Sequence, residues 1–398
     1  MRRWLAALVI ASTATAAQAG PVADTGCATL AARVDAVPGK GAAFLASWDD
    51  VAAEPALNGA AFTYDNALAA IALTACGDHA RARRIGDALL IAATIDRADP
   101  QGRLRNAYRA GPVSGLAPPH GWWDGAANRW AEDAMQVGTA TGNVAWAGLA
   151  LLNVAEQGGG ARYRDGARTL ARWAIANTWD RQGGGFSGGI HGDGAGTARL
   201  GWKSTEHNTD LVALFDWLGR NDAQWREPAQ AARAFVAAQF QAGGDHFLVG
   251  TLPDGRSPNR TQSGLDAQTW PPLLEGAPAA WRAALDHLRR SHGVGGGVDF
   301  NDDRDGIWWE GTAQLALAER ATGDTTRAEP RLRLLAGQFA PSGYMWAASV
   351  PRLTTGLALA PDSPNPDFFY YRRPHLGATA WAVLADTGWN PLTGRKLP

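Results

Sequence analysis

Trp202-Lys203-Ser204-Thr205-Glu206-His207-Asn208-Thr209-Asp210 opens a helix that continues through Leu211, Leu214, Phe215 and Leu218. Those last four residues recur at i, i+3, i+4 and i+7 and form one apolar stripe. Glu206, Asp210, Ala213 and Trp217 share a second face at similar spacing. A surface helix needs one apolar face, so two faces predict an inner helix wedged between neighbours. Ser204 can cap it, and the helix dipole favours Glu206 in its first turn. Capping alone leaves Lys203, His207, Asn208 and Asp210 unexplained. Polar groups packed this densely beside Trp202 on a buried element point to a binding or catalytic site.

The motif has counterparts. Six segments open with a polar or aromatic cluster and run on as Ala/Leu-rich helix, beginning at Thr63-Tyr64-Asp65-Asn66, Thr141-Gly142-Asn143, Glu206, Leu265-Asp266-Ala267-Gln268, Trp308-Trp309-Glu310 and Pro374-His375-Leu376. The first five are each followed by an amphipathic, Arg-bearing helix, near 79–94, 161–179, 222–241, 278–291 and 325–339, and the segment near 28–37 supplies a sixth. Twelve helices as six hairpins predict an all-α fold, an (α/α)6 toroid whose inner helices bury both faces. A toroid grows by repeats, which lets residues 20–398 form a single domain despite its size. The long Gly/Pro/Trp-rich connections precede the inner helices and are expected to gather at one end, where binding sites are built.

Composition fits a large helical core: 46% of residues are hydrophobic and 19% charged, with few alternating β-branched runs. The tryptophans, 18 in 398 residues, exceed what a core of this size needs, and many lie in Gly-rich loops. Flat indole faces with a polar rim suit sugar rings, making Trp122, Trp123, Trp202, Trp308 and Trp309 candidate stacking platforms.

Met1-Arg2-Arg3, the apolar run Trp4 to Ala14 and Ala17-Gln18-Ala19 have the features of a cleavable export signal over residues 1–19. A periplasmic or secreted location is therefore expected. Loss of Arg2 and Arg3 takes the formal charge from −1 to −3, and no basic stripe suggests nucleic acid. The run is too short to span a bilayer, and no later stretch offers a membrane anchor. A monomer is expected. Cys27 and Cys76 allow a single pairing, in a compartment where disulfides persist.

Taken together, these residues resemble the six-hairpin glycosidase superfamily of (α/α)6 barrels. The resemblance implies a carbohydrate-active enzyme, commonly an inverting glycoside hydrolase, with acid and base carboxyls at inner-helix openings. The matching positions are Asp65, Glu206 and Glu310. The chain departs from the branch that pairs Ser-Glu-Gly with a later Asp-Gly-Asp, since the corresponding openings read Tyr64-Asp65-Asn66 and Gly142-Asn143-Val144.

Cleaving a glycosidic bond requires one protonated carboxyl for the leaving oxygen and one ionised carboxylate to activate water. Glu206 and Glu310 head the third and fifth inner helices, two positions apart around a ring. That arrangement suits an inverting separation of roughly 6.5 to 9.5 Å. Glu206 is the expected acid and Glu310 the expected base, with Asp65 in reserve and Asp210 as a supporting partner. Tyr64, Asn143, Trp202, Lys203, His207, Asp210, Gln268 and His375 join the tryptophans as candidate substrate contacts. No cofactor or metal is expected. Asp299 to Gly306 resembles a calcium loop, but starting at Asp299 puts Arg304 where glycine belongs, and starting at Asn301 loses the final glutamate. Two other functions fit the same pattern: a sugar epimerase or isomerase working through His207 and His375, and a non-catalytic glycan-binding protein. Product analysis separates the three.

Overall fold

The computed structural model describes residues 20–96 and 103–397; the expected export signal lies outside them. The chain forms a ring of six inner helices, Thr63–Ala75, Thr141–Val154, Thr205–Gly219, Asp266–Thr269, Trp309–Ala321 and Leu376–Thr387. Each packs on the next, and the sixth returns to the first. Outside them lie His79–Thr94, Ala161–Thr178, Arg226–Gly243, Ala283–Ser291 and Trp309's successor Thr325–Ala336, with the N-terminal helix Pro21–Ala36 backing the sixth inner helix. This is the expected (α/α)6 toroid.

Ring closure has a repeated physical basis. The first residue of each inner-helix opening donates its backbone N–H to a carbonyl in the next loop round: Thr63 to Asn106, Thr141 to Gly188, Thr205 to Val249, Leu265 to Phe300, Trp309 to Ala347 and Leu376 to Ser47, all at 2.9 to 3.0 Å. The bond from Leu376 to Ser47 joins the end of the chain to its beginning. Helix N-termini have N–H groups without intrahelical partners, and here the neighbouring loop satisfies one of them each time.

The fourth residue of five openings grips backbone as well. Asn66 exchanges two hydrogen bonds with Leu45, Asn208 two with Phe186, and Gln268 two with Phe247, while Thr312 and Thr379 accept from the N–H groups of Val298 and Met345. Buried amides must be satisfied, and these side chains use that requirement to fix the long loops. Gln268, a candidate sugar contact in the sequence, has this structural task instead.

The outer ring is amphipathic and the inner ring apolar all round, as two buried faces require. The fourth inner helix departs from the pattern. It has only the four residues Asp266–Thr269, because Pro271 and Pro272 supply no N–H and their rings exclude continued helix. A short 3-10 turn, Pro271–Leu273, completes the wall. Cys27 in the N-terminal helix is disulfide-bonded to Cys76 at the end of the first inner helix. No helix among the described residues is long and apolar enough to cross a membrane.

Candidate active site

Because the six openings share one register, their second residues ring the barrel axis at one level: Tyr64, Gly142, Glu206, Asp266, Glu310 and Gly377. Carboxyls occupy three successive places. The two glycines make the room. A Cβ on Gly142 would lie 2.5 Å from the His207 ring, and one on Gly377 would lie 2.7 Å from Asp65 Oδ1 and 2.8 Å from Glu310 Oε2.

All of these but Gly377 line the floor of a cavity of about 460 Å³. Trp48, Trp146, Trp270 and Tyr370 supply aromatic wall, and Leu357, Leu359 and the run Asp367 to Tyr371 contribute part of the lining. Of the sequence candidates, the cavity gathers Tyr64, Asp65, Asn143, Glu206, His207, Asp210, Glu310 and His375.

Glu310 is almost fully buried. Its Oε1 accepts from the Tyr64 hydroxyl at 2.8 Å, and that hydroxyl accepts in turn from Trp381 Nε1 at 2.7 Å. An indole N–H can only donate, so the Tyr64 proton is committed to Glu310. Oε2 has no hydrogen-bond partner and lies 3.5 Å from His375 Nδ1. Burial raises the Glu310 pKa to about 7, while His375 and the Tyr64 hydrogen bond pull the other way.

His375 stacks on Trp48 with ring centroids 4.0 Å apart. Its Nδ1 accepts from the Ala378 N–H at 3.3 Å, leaving Nε2 to donate to Asp65 at 3.2 Å. Burial disfavours its charge, but Asp65 and Glu310 outweigh burial and raise its pKa above the ordinary value.

Across the floor, burial raises Glu206 to about 7, while hydrogen bonds involving Ser204 and Asp266 pull it down. The Glu206 side chain is 31% open to the cavity. Water entering there moderates the burial effect without changing its direction. Burial also raises Asp266 well above the ordinary range, reinforced by Glu206 and Glu310. His207 lies 3.5 Å from Glu206, and burial lowers its pKa to about 4, which keeps it neutral.

Seven candidates lie elsewhere. The ammonium of Lys203 is bound to Asp180 and the Gly184 carbonyl, both at 2.7 Å. Trp308 and Trp309 are core residues, since a helix wedged between neighbours buries its first-turn indoles. Trp202 packs beside His207, with ring centroids 5.5 Å apart, and does not line the cavity. Trp122 and Trp123 belong to a short hairpin outside the cavity, where Trp123 is solvent-exposed. Gln268 holds Phe247, as described above. The sequence reading passed over Asp266, Trp48, Trp146, Trp270 and Tyr370. Asp266 was detectable, since it follows Leu265 at its opening as Glu206 follows Thr205 at the preceding one.

The loop from Asp299 to Gly306 is braced internally. The buried Asp299 carboxyl accepts from the N–H groups of Phe300 and Gly306, and Phe300 turns its ring to the cavity.

No protein-family model matches the sequence, and no curated protein does either. Solved structures do match in three dimensions. A glutamate-to-alanine variant of a glycosidase, in complex with glucose, superposes with a TM-score of 0.62 at 16% identity, over 92% of this chain and 97% of the other. The GH76 α-mannanase of Bacteroides thetaiotaomicron gives 0.59 at 10% identity, over 92% and 95%. Cellobiose 2-epimerase from Spirochaeta thermophila gives 0.58 at 13% identity, over 92% and 97%. The chain therefore shares the (α/α)6 fold of these proteins.

Proposed function

We propose that this protein is an exported glycoside hydrolase that cleaves an oligo- or polysaccharide by acid/base catalysis, with inversion. The observation that carries the reading is the trio Glu206, Asp266 and Glu310 at successive openings around one aromatic-walled cavity. Two of them have pKa values raised to about 7 and can exist in either protonation state near neutrality.

Glu206 is the general acid. It is the more open of the pair, and Asp266 beside it helps to hold a proton at this side of the floor. Glu310 is the general base, because Tyr64 donates to it and His375 lies against it, and both favour its ionised form. Water between them would attack as Glu206 protonates the leaving oxygen. Asp65 orients His375. The disulfide between Cys27 and Cys76 supports export to an oxidising compartment.

Incubation with a glycan panel tests the reading: shorter products of inverted anomeric configuration are expected. An isomer of unchanged mass would instead establish an epimerase. The observation favouring that alternative is His207, neutral and with its Nδ1 unpartnered at the cavity. Its would-be partner His375 has both ring nitrogens engaged, by Asp65 and by the Ala378 N–H. Binding with no product would leave a glycan-binding protein.

A further inference from the structure

Among the described residues, no lysine or arginine lines the cavity, whereas eight carboxyls do. Those near the mouth are occupied: Glu54 is paired with Arg373, Asp133 caps the turn at Gln136, and Asp367 accepts from Leu359 and Ser363. Asp65 is paired with His375. What remains is the floor: Glu206, Asp210, Asp266 and Glu310.

Asp210 is the anomaly. It lies one helical turn below Glu206, is 0% exposed, and neither of its oxygens has a hydrogen-bond partner. The nearby Trp146 indole N–H eases its ionisation but makes no well-formed hydrogen bond, and Asp266 Oδ1 is likewise unpartnered. Buried acceptors left empty are costly, so a site that keeps them is built for something that supplies donors. A neutral sugar hydroxyl offers one donor and no charge. A protonated amine offers three donors and a full positive charge.

We propose that the floor of this cavity is a subsite for a cationic amino sugar, whose ammonium group is received by Asp210 together with Asp266, beside the general acid Glu206. This deepens the glycosidase reading and rests on it. Aromatic walls at Trp146, Trp270 and Tyr370 favour an organic cation through their ring faces. A metal ion fits less well. Among the described residues, the groups close enough to share one ion are Asp245 with His246 and His287, and Asp299 with Asp303 and Asp305, both away from the floor. Anionic sugars are disfavoured, because no lysine or arginine lines the cavity and His375 is already offset by Asp65 and Glu310.

Burial, reinforced by the fields of Glu206 and Asp266, pushes the Asp210 pKa well above the ordinary carboxyl range. His207 is neutral there and adds no positive charge. An ammonium favours the ionised form of the carboxyls that it meets, so its arrival should release a proton from Asp210 or Asp266 while Glu206 keeps the proton that it donates in catalysis.

The test is calorimetric titration of the full-length folded protein at about pH 6, where a sugar amine is charged. The ligands are glucosamine, N-acetylglucosamine and glucose, with the galacto series in parallel. The amine is expected to bind at least tenfold more tightly than its N-acetyl and hydroxyl counterparts. Titration in buffers of different ionisation enthalpy should show proton release with the amine alone. Asp210→Asn should bring the affinity ratio close to one while the hydroxyl sugar still binds. If that variant fails to fold, proton release by the unaltered protein decides the matter. Equal affinities, or a preference for the neutral sugar, overturn the subsite and leave the glycosidase reading standing. Tightening by calcium ions in place of the amine overturns it too. Failure of every sugar to bind overturns both.

Discussion

The Tyr64 hydroxyl donates to Glu310 Oε1 at 2.8 Å while itself accepting from Trp381, so one phenol fixes the orientation of the buried carboxyl across the barrel axis. Removing it with Tyr64→Phe strands the Trp381 N–H and one Glu310 oxygen, at a cost of about 1 to 3 kcal/mol in stability. The lost hydrogen bond also raises the Glu310 pKa further. With Glu310 as base, the acid limb of the kcat profile should move to higher pH. An unmoved limb would remove Glu310 from that role.

Glu206→Gln and Glu310→Gln should each lower turnover by about 10² to 10⁴, the usual worth of a positioned acid or base. Glycan affinity should be largely retained, since the amide is nearly isosteric. Near-full activity in both variants, combined with a dead Asp65→Asn, would move the catalytic pair to Asp65.

Gly377→Ala provides a sharper geometric test. In a helix this change ordinarily gains about 1 kcal/mol. Here the added methyl would meet Asp65 Oδ1, Glu310 Oε2 and His375 Cε1, all within 2.9 Å. The expected outcome is a loss of kcat of at least tenfold with helical circular dichroism intact. Undiminished activity would show that the close packing of these groups does not matter.

Stability should fall as pH rises between about 6.5 and 8. Glu206, Glu310 and Asp299 have folded pKa values raised to about 7. Each binds more proton when folded than when unfolded, so its contribution is present at low pH and lost as pH rises through 7. His207 and His292, lowered to about 4, act in the opposite sense, but only below their ordinary pKa near 6.5. Above that value the carboxyls are unopposed. Calorimetric melting temperatures across the range should decline, and Glu206→Gln with Glu310→Gln should flatten the slope. A midpoint that climbs from pH 6.5 to 8 would contradict the shifts.

Reduction of the bond between Cys27 and Cys76 frees a loop spanning 49 residues. Loop-closure entropy puts its contribution at about 4 kcal/mol. Denaturant unfolding of a Cys27→Ser, Cys76→Ser protein should show a loss of that order. The N-terminal helix closes the outer ring, so its amide protons should lose exchange protection first.

The fold was legible in the sequence because hydrophobic periodicity is local. Leu211, Leu214, Phe215 and Leu218 declare one buried face and Ala213 and Trp217 another, and six recurrences of that pattern leave few ways to bury all faces other than a closed ring. The carboxyls Glu206 and Glu310 were legible for the same reason, since each stands at a fixed place in a repeating opening. The tertiary structure alone decided which aromatic rings face the cavity. Trp308 and Trp309 sit beside Glu310 in sequence yet point into the core, while Trp48 and Tyr370 reach the site from distant loops. A side chain's direction at a helix opening depends on the neighbour packed against it, and that neighbour comes from another hairpin. Asp210 shows the same division. Periodicity placed it on an inner face, but only the assembled ring revealed a buried carboxyl with nothing to bind.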